Sequence, residues 1–272
     1  MSAKKAENQL HEWDDLLSSI SHLQEIIPEA VLVGGSAAVL YADHRLSTDH
    51  DHVVIDLKSR FNDILNDLEV VSGWKTARVQ SPVQILGRLD GIETGVRQLK
   101  RTAPLETQII SVRGVSINVP TIEETLRIKV FLALTRNATR DYLDVAALSE
   151  KIGDGKVYEA LSRMDELYPQ LNGDNWAVRQ QIVKQFTQAE PYDLDDVNLD
   201  EYKGLKPPYT DWGYVQKKTS LIADYLMDKF CCDLVLEDTM ESKKAKESLD
   251  QWRKNVADGK KPVLTKLPGL PM

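Results

Sequence analysis

The sequence predicts an α+β protein: a small mixed sheet with helices over residues 1–120, a helical half over 121–239, and a charged helix with a loose tail over 240–272. Three observations lead there. Short apolar, strand-like runs separated by Gly, Pro and Asp-Gly turn signals fill the chain up to Pro120. From Thr121 onward the apolar period becomes helical and stays so. No internal repeat points to a solenoid or propeller.

The first element is an amphipathic helix over residues 10–27, with Leu16, Leu17, Ile20, Leu23, Ile26 and Ile27 at helical spacing and Pro28 as its stop. "VLVGGS" (31–36) reads as a strand entering a glycine turn, and "SAAVLYAD" as a short helix. "HVVIDL" returns to strand, and "SRFNDILNDLEVV" to helix. "PVQILGRL", "IETGVRQL", "TQIISVRG" and "VSINVP" complete the sheet. Thr121 and Glu124 predict a capping box ahead of "TLRIKVFLAL". The next helix, "RDYLDVAALSEKI", has Thr139 as its expected N-cap and Gly153 as its stop. Further helices are expected over 157–167, 176–188 and 214–236, with Trp176, Tyr202, Tyr209 and Trp212 packing among them.

Composition is that of a globular domain, 42% hydrophobic and 28% charged. No apolar run approaches the roughly 20 residues that span a bilayer, and the first fifteen residues lack the apolar core of a signal peptide. The expectation is a cytoplasmic protein with no membrane partner. Cys231 and Cys232 are adjacent, which suits two helix thiols rather than a disulfide framework or a metal site. The net charge of −8 argues against nonspecific coating of nucleic acid. Residues 75–140 nevertheless carry eleven Lys and Arg against five Asp and Glu, either as solvated faces or as a phosphate-facing surface.

Chemistry concentrates in "RLSTDHDHV" (45–53). In a strand, residues two apart share a face, so Asp49 and Asp51 point one way and His50 and His52 the other. Two carboxylates that close repel unless a cation joins them, and a hard divalent ion with oxygen ligands, most simply Mg²⁺, resolves the conflict. Upstream, Gly34-Gly35-Ser36 leads a strand into a helix. Such a turn either needs small residues or offers free amides to a phosphate. His44, His50 and His52 cluster without the spacing of a closed zinc site.

"GGS" followed by "RLSTDHD" resembles the signature of the nucleotidyltransferase superfamily. The Arg-x-Ser-x-Asp-x-Asp form is similar in particular to the AbiEii/AbiGii (MenA-like) enzymes of type IV toxin–antitoxin and phage-defence systems. The resemblance implies a DNA polymerase beta-like fold in which Gly34, Gly35, Ser36 and Ser47 meet the nucleotide while Asp49 and Asp51 hold Mg²⁺. It also covers "LRIKVFLALTRNATRDYLD", where Lys129 would bind the triphosphate and Asp141 would be a further catalytic acid, with Asp144 and Arg45 as additional candidates. Arg136 and Arg140 stand at i+7 and i+11 from Lys129, on its face if the helix were continuous, and would join it at the nucleotide. A third metal carboxylate is expected at Glu93 in preference to Asp90, which belongs to an Asp-Gly turn. Arg97, Lys100 and Arg101 either contact a polynucleotide or face water. The implied partners are an NTP, an RNA acceptor such as a tRNA 3′ end, and a cognate antitoxin. A protein or small-molecule acceptor, or an idle nucleotide-binding scaffold, is the alternative left open.

Overall fold

The computed structural model describes residues 3–171 and 177–235, together with residues 247, 250, 251 and 254. Trp176 and nearly all of the expected tail over 240–272 lie outside the described residues. Helix α1 (Ala3–Ile26) leads into strand β1 (Val31–Val33), helix α2 (Gly34–Ala42), strand β2 (Asp49–Val54) and helix α3 (Leu57–Glu69). Strands β3 (Trp74–Gln80), β4 (Gln84–Leu89) and β5 (Ile92–Gln98) follow, then the hairpin β6 (Thr107–Val112) and β7 (Val115–Pro120). The helical half holds α4 (Ile122–Arg136), α5 (Thr139–Ile152), α6 (Asp154–Leu161), α7 (Met164–Leu167), α8 (Val178–Thr187) and α9 (Trp212–Val235).

The main sheet is mixed, in the order β1-β2-β5-β4-β3, with β2 and β5 parallel and the other pairs antiparallel. The α+β expectation therefore holds. Strand β3 went unread in the sequence because "WKTARVQ" is an edge strand exposed at every residue but Trp74, so no alternation marks it. The Asp90-Gly91 and Arg113-Gly114 pairs close two hairpins with both residues at positive φ, the geometry that two-residue turns need.

Burial explains how the halves join. Leu23 of α1 and Ile27 just after it pack with α3 and the inner strands, while Leu16, Leu17 and Ile20 pack with β1, β7 and Ala37 of α2. Ala38, the next residue of α2, belongs instead to the core formed by α4 to α9. The small side chains of α2 thus let one helix serve both cores, each methyl buried on a different side.

Several local expectations change. The stretch 157–167 breaks into α6 and α7 around Ser162 and Arg163. Thr121 caps α4 by accepting from the Glu124 amide, but the Glu124 carboxylate does not return to close the box. It is drawn into the interior by Arg101 at 2.8 Å and Arg127 at 2.9 Å. The N-cap position of α5 is Ala138, and the terminus is capped from a distance: Asp193 accepts from both the Thr139 amide (2.7 Å) and its hydroxyl (2.8 Å). Gly153 ends α5 at positive φ, as expected. Among the described residues, no helix is long and apolar enough to cross a membrane.

Candidate active site

Asp49 and Asp51 begin strand β2, and period two places them on one face with their side chains 51% and 37% exposed. His50 and His52 go to the other face and are buried. There Ser19 and Thr94 meet the two nitrogens of His50 at 2.9 Å each, and the His50 and His52 rings stand edge to face. Burial pushes the His50 imidazole down to about 4 and His52 well below its ordinary value, so both are neutral core residues.

The glycine turn lies beside the acid pair. Val33 pairs with Asp51 across β1 and β2, and Gly34, at φ +78, follows directly into α2. A Cβ on Gly34 would lie 3.7 Å from an Asp51 carboxylate oxygen, and one on Gly95 of β5 would lie 3.5 Å from the other. Bare backbone therefore borders Asp51 on two sides. Gly35 is small for another reason: a Cβ there would sit 2.5 Å from Nη2 of Arg45, which passes beneath the helix.

Ser36 is engaged within the protein through its hydroxyl. Its side chain is buried, and its hydroxyl donates to the Asp49 carbonyl at 2.5 Å and reaches the Ser47 hydroxyl at 2.9 Å. It ties α2 to the start of β2 and leaves only its backbone amide for a phosphate, among the first amides of the helix, which lack intrahelical acceptors.

Across the cleft stand α4 and α5. Lys129 and Asp144 make a buried ion pair at 2.6 Å. Asp144 also takes two hydrogen bonds from the Arg45 guanidinium (2.9 and 3.1 Å) and one from His44 Nε2 (2.7 Å). Burial alone would raise this carboxyl; Arg45, Lys129 and the His44 hydrogen bond together hold it well below the usual range. Asp144 and Arg45 are thus brought to the site as its internal brace, with Asp144 fully buried.

Asp141, one turn earlier, is also buried, yet neither of its oxygens has a hydrogen-bond partner and Lys129 is 3.6 Å away. Burial raises its carboxyl above the ordinary value, against the pull of Lys129. Arg136 and Arg140 flank it; both are exposed and, among the described residues, have no ion-pair partner. Partial burial lowers the Arg136 guanidinium, against the pull of Asp141. The helix does not run through: Asn137 is left-handed at φ 50 and ends α4. Lys129, Arg136, Arg140 and Asp141 nevertheless line the same cleft of about 550 Å³ as Gly34, Gly35, Ser47, Asp49, Asp51 and Glu93.

Glu93 is the register neighbour of Asp49 on β5, so it shares the face, but it is 68% exposed and bound to Arg88 at 2.6 Å. Asp49 and Asp51 suit a hard divalent cation as an oxygen pair with bare glycine backbone beside them. A third ligand does not join them: among the described residues, no three His, Cys, Asp or Glu side chains form a group that could hold a metal ion.

No protein-family model matches the chain. Curated relatives include the mycolic acid-containing lipids exporter MmpL11 of Mycolicibacterium smegmatis, 26% identical over 138 residues, which are 50% of this chain and 14% of that protein. The heme uptake protein MmpL11 of Mycobacterium tuberculosis is 33% identical over 99 residues, 36% of this chain and 10% of that protein. The chain therefore spans only a small part of the length of the relatives it matches. Among solved structures, an antigenic nucleotidyltransferase-like protein from Paracoccidioides brasiliensis aligns with a TM-score of 0.39 and 16% identity over 58% of this chain and 90% of its own. A candidate nucleotidyltransferase from H. pylori aligns with a TM-score of 0.32 and 12% identity over 84% of this chain and 97% of its own. At those scores the fold rests on this chain's own sheet order and register.

Two cleft residues were not legible beforehand as part of the site. Lys203 reaches to 3.9 Å from Asp49, and Tyr202, expected only to pack in the helical half, does so and also lines the cleft. Both come from the irregular segment between α8 and α9, whose "EYKGLKPP" announces a turn but not its destination.

Proposed function

We propose that the protein is a nucleotidyltransferase that moves a nucleoside monophosphate from an NTP to a hydroxyl of an RNA acceptor, with Mg²⁺ held by Asp49 and Asp51. The observation that carries this reading is one cleft with an acid pair and a helix N-terminus on one wall, and Lys129, Arg136 and Arg140 on the other. A triphosphate needs hard cations and amides along its length, and this arrangement supplies them at both ends. A magnesium ion at the acid pair would polarise the α-phosphate as a Lewis acid.

The chain's own residues do the rest. The glycine-turn amides and the arginines orient the phosphates for in-line displacement. The acceptor oxygen bonds to the α-phosphorus, the bond to the bridging oxygen breaks, and pyrophosphate leaves. Asp141, desolvated and free of hydrogen bonds, accepts the hydroxyl proton, and its raised carboxyl makes it a better base than a solvated aspartate. Asp144 keeps Lys129 and the loop before Asp49 in register. The resemblance to the AbiEii/AbiGii (MenA-like) enzymes extends the reading to a toxin acting on a tRNA 3′ end under the control of an antitoxin.

The test is incubation of the protein with each α-³²P-labelled NTP, Mg²⁺ and an extract of RNA and protein, beside Asp49→Ala and Lys129→Ala. Label in an RNA band that both substitutions abolish is the expected result. Label confined to protein or to a small molecule would replace the acceptor, and absence of any transfer would overturn the enzyme reading.

A further inference from the structure

Each carboxylate of the acid pair already has a cation beside it. Arg97 of β5 places Nε 3.3 Å from Oδ1 of Asp51, and Lys203 places Nζ 3.9 Å from Oδ1 of Asp49. Lys203 is brought there by its backbone. The Leu46 amide donates to the Lys203 carbonyl at 2.7 Å, and the Lys206 amide to the His44 carbonyl at 2.8 Å. Lys203 and Gly204 are both left-handed, at φ 43 and 62, and a Cβ on Gly204 would meet Leu46 at 2.9 Å. The segment between α8 and α9 is thus zipped onto the loop that leads into Asp49.

These two contacts differ in kind from the brace at Asp144. There the cations are sealed from water at 2.6 to 3.1 Å. Here Arg97 and Lys203 are 40% and 44% exposed, the separations are longer, and both side chains line the cleft. Contacts of that type are weak and exchange readily. A divalent ion on the same carboxylates repels both cations and competes with them for the negative charge, and a guanidinium or ammonium turned aside by a few ångströms would meet the phosphate oxygens of a bound triphosphate.

We propose that Arg97 and Lys203 are exchangeable counter-ions: they hold Asp51 and Asp49 when no metal is bound, and turn to the phosphate chain when a divalent cation takes the carboxylates. The proposal rests on the nucleotidyl-transfer reading. It has an unusual sign, because the same residue opposes metal binding and favours triphosphate binding.

The experiment titrates Mn²⁺ alone by water-proton relaxation, and inorganic tripolyphosphate with Mg²⁺ by calorimetry, on the wild type, Lys203→Gln, Arg97→Gln and Lys203→Arg. Each neutral variant is expected to bind Mn²⁺ about two- to fivefold more tightly, the worth of an exposed ion pair. Each should bind tripolyphosphate about tenfold more weakly, through loss of a charged contact. Lys203→Arg should keep both affinities close to the wild type, which a general loss of structure would not allow. If the wild type binds both probes but the neutral variants move neither, or weaken both together, the proposal is overturned and the nucleotidyl-transfer reading stands. If the wild type binds neither probe, that reading fails and the proposal with it.

Discussion

Asp141 and Asp144 lie three residues apart on α5 and are both buried, yet replacing each by Asn should have different consequences for stability. Asp144→Asn keeps the shape and removes the charge that faces Arg45, Lys129 and His44. Arg45 and Lys129 would then face a neutral amide with a single acceptor oxygen, their other contacts being the Leu46 carbonyl and the 3.6 Å approach to Asp141. Breaking a buried pair from one side costs about 3–5 kcal/mol, since the partners remain buried. For a chain of this size that corresponds to a fall of about 10 °C in melting temperature. Asp141→Asn removes a carboxylate that burial already disfavours and that has no hydrogen bond to lose. Its stability should be unchanged or higher, while nucleotidyl transfer should be lost. Urea unfolding followed by tryptophan fluorescence at pH 7, together with the labelling assay, measures both quantities. Equal destabilisation by the two substitutions would refute the assignment of Asp144 as brace and Asp141 as the uncommitted acid.

Two further outcomes follow from the same interior. His50 is held near 4 in the folded chain against 6.5 when unfolded, so between those values the unfolded state binds the extra proton; stability should be full above about pH 6.5 and fall towards pH 4, His50 contributing roughly 3 kcal/mol and His52 adding to it, and His50→Asn should make that fall smaller in urea titrations at stepped pH. Gly35→Ala would push Arg45 off Asp144, because the new methyl lies 2.5 Å from Nη2 of a side chain that is sealed in place; a loss of about 1–3 kcal/mol is expected by denaturation, with weaker tripolyphosphate binding by calorimetry.

Much of the candidate site was legible because it depends on short-range geometry. Strand period alone separates Asp49 and Asp51 from His50 and His52, and the register with β1 and β5 agrees with that division. The glycine turn, its helix and the capping threonine of α4 are likewise local. What could not be read were roles that depend on partners far along the chain. The hydroxyl of Ser36 staples α2 to the Asp49 carbonyl; Glu124 looked like half of a capping box and is an interior anion for Arg101 and Arg127. Thr139 is capped by Asp193, some fifty positions away.

By itself, then, the amino-acid sequence determined the class of fold and the same-face acid pair, because hydrophobic period and turn chemistry act over a few residues. Only the tertiary structure decided which charges are committed. Arg45 and Lys129 converge on Asp144 because the packing of α2 against α4 and α5 buries all three side chains together. Asp141 faces the cleft without a hydrogen bond, Arg136 and Arg140 line it with no ion-pair partner among the described residues, and Lys203 arrives beside Asp49 from the segment between α8 and α9. Burial and distance set the energy of a charge, and both are properties of the folded chain rather than of the order of its residues.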